Sequence, residues 1–248
     1  MSAELTLRDK RVLLIGAGGL GSPAGALLAR AGIGYLEVLD DDVVELSNLQ
    51  RQTLYGEDDV GHPKAQRAAA QLQRLAHAAG HTHTEVRARE GRLRPDQALD
   101  RVSSFDLVVE GSDNYPTKFL TADACSLARV SCVQAAAVRW VGWTLGHVPG
   151  RSACLRCVFE DIPAGPDQGC ATAGVIGPVV GVMGALQASI ALRLLLGQTH
   201  AAGVLQHYRA LTGALRQTRI ARSPLCPTCN GHLAALDPAR YQPPDCAA

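Results

Sequence analysis

The sequence predicts an α/β fold. Its doubly wound sheet is parallel in the first half, with a mixed or antiparallel extension in the second, and paired cysteines tie back its C-terminal tail. Three observations carry that prediction. A short apolar run ends in a glycine-rich turn, enters a helix and leads to a second apolar run. A later apolar run ends in a polar turn that also opens a helix. Two Cys-x-x-Cys pairs stand about 70 residues apart.

Residues 11–17 (Arg-Val-Leu-Leu-Ile-Gly-Ala) read as a short buried strand ending in glycine. Residues 21–31 are rich in Ala and Leu and read as a helix, and 35–39 read as the next strand. Strand, helix and strand in that order form a βαβ unit, with parallel pairing and a right-handed crossover. Residues 64–79 read as a helix with Leu72 and Leu75 on its apolar side. Residues 105–110 read as a strand, 111–114 as a turn and 117–127 as a helix. Two further strands are expected at 131–137 and 143–148. A loop rich in Gly, Pro and Asp at 160–170 precedes a long helix after Pro178, and the tail is irregular and Pro-rich. With no internal repeat, 1–248 reads as a single domain: a first half over 1–130, a second over 131–231 that extends the same sheet, and a tail over 232–248.

The bulk composition narrows the function classes. Apolar residues make up 47% of the 248, enough for a sizeable core. With 24 basic and 23 acidic residues, the chain offers no electrostatic case for nucleic acid or an anionic membrane as a partner. The apolar stretch 174–197 contains Pro178, Gln187 and Arg193 and reads as a buried helix, because an arginine at bilayer depth is costly. No charged segment followed by an apolar run opens the chain, so the eight cysteines point to thiols or metal in a cytoplasmic setting.

Gly16-Ala17-Gly18-Gly19-Leu20-Gly21 fits G-x-G-x-x-G between the first strand and its helix, a Rossmann-like turn. Glycines there let the backbone approach a phosphate, and the helix N-terminus supplies free N–H groups. Asp40, 19 residues after Gly21, heads the run Asp40-Asp41-Asp42 and can accept hydrogen bonds from ribose hydroxyls. The same turn serves NAD- and FAD-dependent enzymes, so a dehydrogenase stays open on this motif alone. No G-x-x-x-x-G-K-[ST] segment exists, which excludes a P-loop protein.

The following motifs favour ATP. In Ser47-Asn48-Leu49-Gln50-Arg51-Gln52, Asn48 and Arg51 are three apart and share one side of a helical turn. Arginine offers a rigid fork of donors to phosphate oxygens. Lys64 opens a helix in His62-Pro63-Lys64-Ala65; taken alone, it is as well explained as a solvated surface lysine. Gly111-Ser112-Asp113-Asn114 lies past a strand's C-terminal end, the edge where doubly wound sheets bind ligands. A carboxylate there, Asp113, suits Mg²⁺, although Asp-Asn is also ordinary turn chemistry.

Cys154-x-x-Cys157 and Cys226-x-x-Cys229 have the spacing at which two thiolate pairs close one tetrahedral Zn²⁺ site. A closed Cys₄ shell is structural, so residues 223–231 become a zinc-tied tail. Cys125 and Cys132 read as core thiols, Cys246 lies in the tail, and Cys170 sits in the loop before the long helix, where a thiol can be exposed.

Together G-x-G-G-L-G-S, the acidic strand end, S-N-L-x-R-Q, the P-K helix start and the S-D-N turn resemble the ThiF/MoeB/HesA family, relatives of the ubiquitin-activating enzymes. The run from Cys170 to Gly184 is closest to ThiF, and the resemblance covers roughly 11–230. It implies adenylation by ATP of the C-terminal Gly-Gly carboxylate of a ubiquitin-like sulfur carrier, ThiS-like or MoaD-like. Gly16, Gly18, Gly19 and Gly21 would meet the phosphates, and Asp40 the ribose. Asn48, Arg51 and Lys64 would stabilise the developing charge and Asp113 would organise Mg²⁺. Asp42, Gln52 and Asn114 would complete the nucleotide contacts. Cys170 would form a covalent link to the carrier. Residues 131–231 would carry the zinc and the carrier, and the chain would be a homodimer. Two departures stand out. Before the first strand, relatives have an Arg-Tyr-x-Arg-Gln stretch, which Arg8 and Arg11 do not match. Lys118 and Ala122 replace the family's Arg and Asn. A non-catalytic carrier-binding module therefore remains the alternative.

Overall fold

The structure, a computed structural model, describes residues 7–163 and 174–242. Strands β1 (Arg11–Ile15), β2 (Tyr35–Asp40), β3 (Glu85–Glu90), β4 (Leu107–Glu110), β5 (Ser131–Val138), β6 (Val141–His147), β7 (Val204–Arg209) and β8 (Ala214–Arg219) form one sheet. Their order is β3-β2-β1-β4-β5-β6-β7-β8. Pairing is parallel from β3 to β5 and antiparallel from β5 to β8. The predicted change of pairing between the halves is therefore observed.

The central strands are buried on both faces, as a parallel sheet under two helix layers requires. Val12 and Leu14 of β1 join one cluster, with Leu28 of helix α1 (Gly21–Arg30), Leu72 of α2 (Lys64–Ala78) and Ala188 of α6 (Gly177–Leu195). Leu13 and Ile15 join the other, with Val102 of α3 (Pro95–Ser103) and Phe119 of α4 (Tyr115–Ala128). A single turn, α5 (Arg156–Phe159), follows β6.

By length and composition alone, α6 could cross a membrane. In this fold it lies on the sheet. Its buried Gln187 donates to the carbonyls of Glu110 (2.6 Å) and Val133 (3.0 Å), tying the helix to two strands.

Boundaries move where capping or a turn decides them. Helix α4 starts at Tyr115, two residues before the expected position, because the Asn114 side chain accepts the Thr117 N–H (2.9 Å) and Pro116 suits the first turn. Strand β4 starts at Leu107, since the Phe105 N–H still closes the end of α3 on Val102 O. Strand β6 starts at Val141, which pairs with Val138 across a turn where Arg139 takes φ 51°. The elements the sequence does not reveal are mostly polar. Strand β3 (E-V-R-A-R-E) has one half-buried side chain, and β8 (A-L-R-Q-T-R) is exposed throughout. An edge strand that buries neither face shows no apolar alternation.

Candidate active site

Strand order reverses around β1, which has β2 on one side and β4 on the other. In such sheets the crevice outside the carboxyl ends at this point is the binding position. The glycine turn leaves β1 and the Gly111–Asn114 turn leaves β4, so both motifs meet here. Their backbones interlock. Gly16 has φ 81°, and a Cβ on it would stand 2.9 Å from the Ser112 nitrogen. A Cβ on Gly21 would stand 1.9 Å from Gly16 O, which no side chain tolerates.

A cleft of about 290 Å³ opens above these turns, close to the lower end of small-molecule sites. Gly16, Gly18 and Gly19 line one wall. Asp40, Asp42, Arg51, Gln52 and Lys64 line another, with Asp113 and Asn114 beside them. Two of the predicted site residues stand outside this lining. Gly21 packs beneath the turn. Asn48 is buried, with its amide donating to Glu45 (3.4 Å) and Ser47 (3.0 Å) and accepting from Gln52 (3.2 Å). The Asn48 carbonyl accepts the N–H groups of Arg51 and Gln52 (3.0 Å each), so a helical turn spans Asn48 to Arg51 as expected, with the Asn48 side chain turned to its neighbours and not to the cleft. Cys170 lies outside the described residues.

Lys64 is not a solvated lysine. It is 5% exposed, its Nζ lies 2.9 Å from Asp42 Oδ2, and its backbone N–H donates to Asp42 O. Asp40 accepts N–H groups from Ala17 (2.7 Å) and Asp42 (2.9 Å) on separate oxygens. Burial pushes its carboxyl above the ordinary 3.8, against the pull of those two donors and of Lys64. Arg51 is half-buried and spends one donor on Ser47 O (3.2 Å). Asp113 is exposed and has no hydrogen-bond or ion-pair partner among the described residues.

Several residues around this cleft carry no motif. Tyr55 is buried and donates to Ala17 O (2.8 Å), bracing the glycine turn from behind. Arg92, paired with Asp41, and Leu93 close the far wall, while Val175 and Val180 reach in from the α6 side. Beneath the S-D-N turn, Glu110 and Lys118 form an ion pair of 2.9 Å, with side chains 0% and 3% exposed.

A second polar centre lies between α4 and the tail. The sulfurs of Cys154, Cys157, Cys226 and Cys229 all lie within 4.8 Å of one another. Three of the separations are 3.5, 3.6 and 3.9 Å. A tetrahedron with Zn–S bonds of about 2.3 Å has edges of about 3.8 Å, so the four sulfurs fit a metal ion of that kind. Hydrogen bonding between Cys154 and Cys229 lowers the Cys229 thiol and raises that of Cys154, so with no metal bound the proton of the pair stays on Cys154. Both Cys-x-x-Cys loops also grip Asp123 of α4. Arg156 Nε lies 3.0 Å from each of its oxygens, and Thr228 donates at 2.8 Å. Tyr241, buried in the described tail, adds a third donor at 3.0 Å.

Fold and cleft define an α/β protein of Rossmann-like architecture with a polar cleft at the switch point of its doubly wound sheet. The profile of the ThiF family matches residues 2–228, and the chain belongs to that family. It is 38% identical to the sulfur carrier protein ThiS adenylyltransferase of Escherichia coli, over 93% of this chain and 90% of that one. It is 40% identical to the SAMP-activating enzyme E1 of Haloferax volcanii, over 90% of this chain and 81% of that one. Escherichia coli MccB, crystallised with ATP, has the same fold, with a TM-score of 0.79 at 22% identity over 92% of this chain and 68% of that one.

Proposed function

We propose that this chain uses ATP to adenylate the C-terminal carboxylate of a ubiquitin-like sulfur carrier ending in Gly-Gly, releasing pyrophosphate. One observation carries the reading: a single cleft collects Arg51, Lys64 and Asp113 around the glycine turn. Two cations and a carboxylate with no hydrogen-bond or ion-pair partner among the described residues, gathered beside the phosphate-binding turn, suit a triphosphate with Mg²⁺ better than a dinucleotide. The names of the relatives point to the same reaction and the same class of partner.

The carrier's terminal carboxylate attacks the α-phosphate, the bond to the bridging oxygen breaks, and pyrophosphate leaves. A carboxylate is already ionised at pH 7, so no general base is needed. The protein contributes position and charge. Backbone N–H groups at Gly18 and Gly19 meet the phosphates. The remaining lone pairs of Asp40 accept from ribose hydroxyls. Arg51 directs its free donors at phosphate oxygens, and the desolvated Lys64 places a second cation beside them. Asp113 is the residue that would hold Mg²⁺, which offsets triphosphate charge when bound. The four cysteines hold Zn²⁺ as a structural ion, with residues 131–231 forming the carrier-binding half. A homodimer and a covalent link at Cys170 belong to the same reading.

The test uses ATP labelled at its α-phosphate and a carrier ending in Gly-Gly. Label should move to the carrier as a hydroxylamine-sensitive adenylate, and removal of the last glycine should abolish the transfer. Protein that binds ATP and carrier together yet transfers no label would contradict the reading and leave a carrier-binding module.

A further inference from the structure

Asp113 stands exposed at the edge of the cleft, with no hydrogen-bond or ion-pair partner among the described residues and only the longer-range charge of Arg92 nearby. Its aim therefore depends on the turn that carries it. That turn is clamped from beneath at three points. Glu110 Oε1 accepts the Ser112 N–H (2.8 Å) and also the Ser112 hydroxyl. Glu110 Oε2 accepts from Lys118 Nζ (2.9 Å), joining the end of β4 to the second turn of α4. Asn114 caps the same helix through Thr117. Lys118 is pinned in turn by Ala135 O (2.6 Å) on β5, and the Glu110 carbonyl by Gln187 on α6. Both side chains are buried, and neither lines the cleft.

We propose that the Glu110–Lys118 pair is a positioning device that fixes the Ser112–Asp113 backbone, and so sets how the Asp113 carboxylate meets the metal-bound triphosphate. This rests on the adenylation reading for its substrate and goes beyond it in assigning two residues that do not line the cleft. A buried pair is a poor source of net stability, and uncharged residues of similar volume often replace one without loss of the fold. A misplacement of about 1 Å at a reacting centre can cost about a hundredfold in rate. The arrangement therefore serves geometry more than stability.

The test compares wild-type protein with the neutral double variant Glu110→Gln/Lys118→Met. ATP affinity is measured with Mg²⁺ and with chelator, alongside pyrophosphate exchange per folded molecule. The double variant should lose about tenfold of the Mg²⁺-dependent gain in ATP affinity and about a hundredfold in exchange, with affinity in chelator unchanged. Lys118→Arg, which keeps the cation, should keep the gain. In an Asp113→Ala background the double substitution should have no further effect, because it acts through that carboxylate. Glu37→Gln serves as a control for simple destabilisation, since it breaks the Arg101 pair (2.9 Å) away from the turn; it should lower the melting temperature and leave the Mg²⁺ gain intact. A double variant with the full Mg²⁺ gain and full exchange would overturn the proposal. Wild-type protein that shows the Mg²⁺ gain, lost in the double variant, but no exchange would instead contradict adenylation and support the positioning role.

Discussion

The nucleotide cleft and the cysteine cluster are both polar centres, and they differ in how their groups are satisfied. At the cluster, Asp123 is shut in by Arg156, Thr228 and Tyr241, and the four sulfurs face one another. At the cleft, among the described residues, Arg51 has one hydrogen bond, to Ser47 O, and Asp113 has no hydrogen-bond or ion-pair partner. A centre that closes on itself holds the chain together. A centre left open toward a cavity has capacity for a ligand. Substitutions in the first should therefore reduce stability, and substitutions in the second should reduce turnover.

The largest expected effect is at the cluster. If the four sulfurs hold zinc as proposed, a strong chelator, or Cys226→Ser, should loosen the tail from α4, since structural zinc sites contribute on the order of 10 kcal/mol of apparent binding energy. Thermal unfolding with and without a strong chelator reads this directly; an unchanged melting temperature would remove the staple from the account. Asp123→Asn comes next. It leaves the buried Arg156 guanidinium with only the exposed Asp161 (2.9 Å) as a counter-charge, so it should lower stability by about 3 kcal/mol, toward the lower end of the cost of a broken buried pair, while exchange per folded molecule stays near normal.

The cleft should respond in the opposite way. Arg51→Ala or Lys64→Ala should lower adenylation by about two to three orders of magnitude, as for other lost charge-stabilising donors. The half-buried Arg51 should do so with little change in melting temperature. Near-normal adenylation by Arg51→Ala would end its assigned role. The smallest effect concerns pH. Burial holds the Asp40 carboxyl above 3.8, so in the folded protein it takes up a proton before an ordinary aspartate would. ATP affinity should therefore weaken as pH falls through that raised value, and Asp40→Asn should flatten the dependence. The matching stability term has the opposite sign. It is favourable below pH 3.8 and lost as pH rises through the raised value.

The two centres were unequally legible in the sequence. The glycine turn, Asp40, Arg51, Lys64, the S-D-N turn and both cysteine pairs are short-range patterns, and the family resemblance of the set gave Arg51, Lys64 and Asp113 the roles that no single motif could. The structure shows that most of them share one cleft. What spacing cannot show is burial. Lys64 reads as surface by composition, yet it is sealed against Asp42. Glu110 and Lys118 look like ordinary charges flanking a turn until the sheet and α4 close over them. The partners of Asp123 lie 33, 105 and 118 residues away, beyond any local pattern. Strands β3 and β8 escaped because exposed edges leave no apolar alternation.

ATP–pyrophosphate exchange tests adenylate transfer at the open centre most directly. Purified protein should catalyse exchange only when supplied with a carrier ending in Gly-Gly, and Arg51→Ala should suppress it. Absence of exchange with every such carrier, in protein that binds both ATP and carrier, would contradict adenylation.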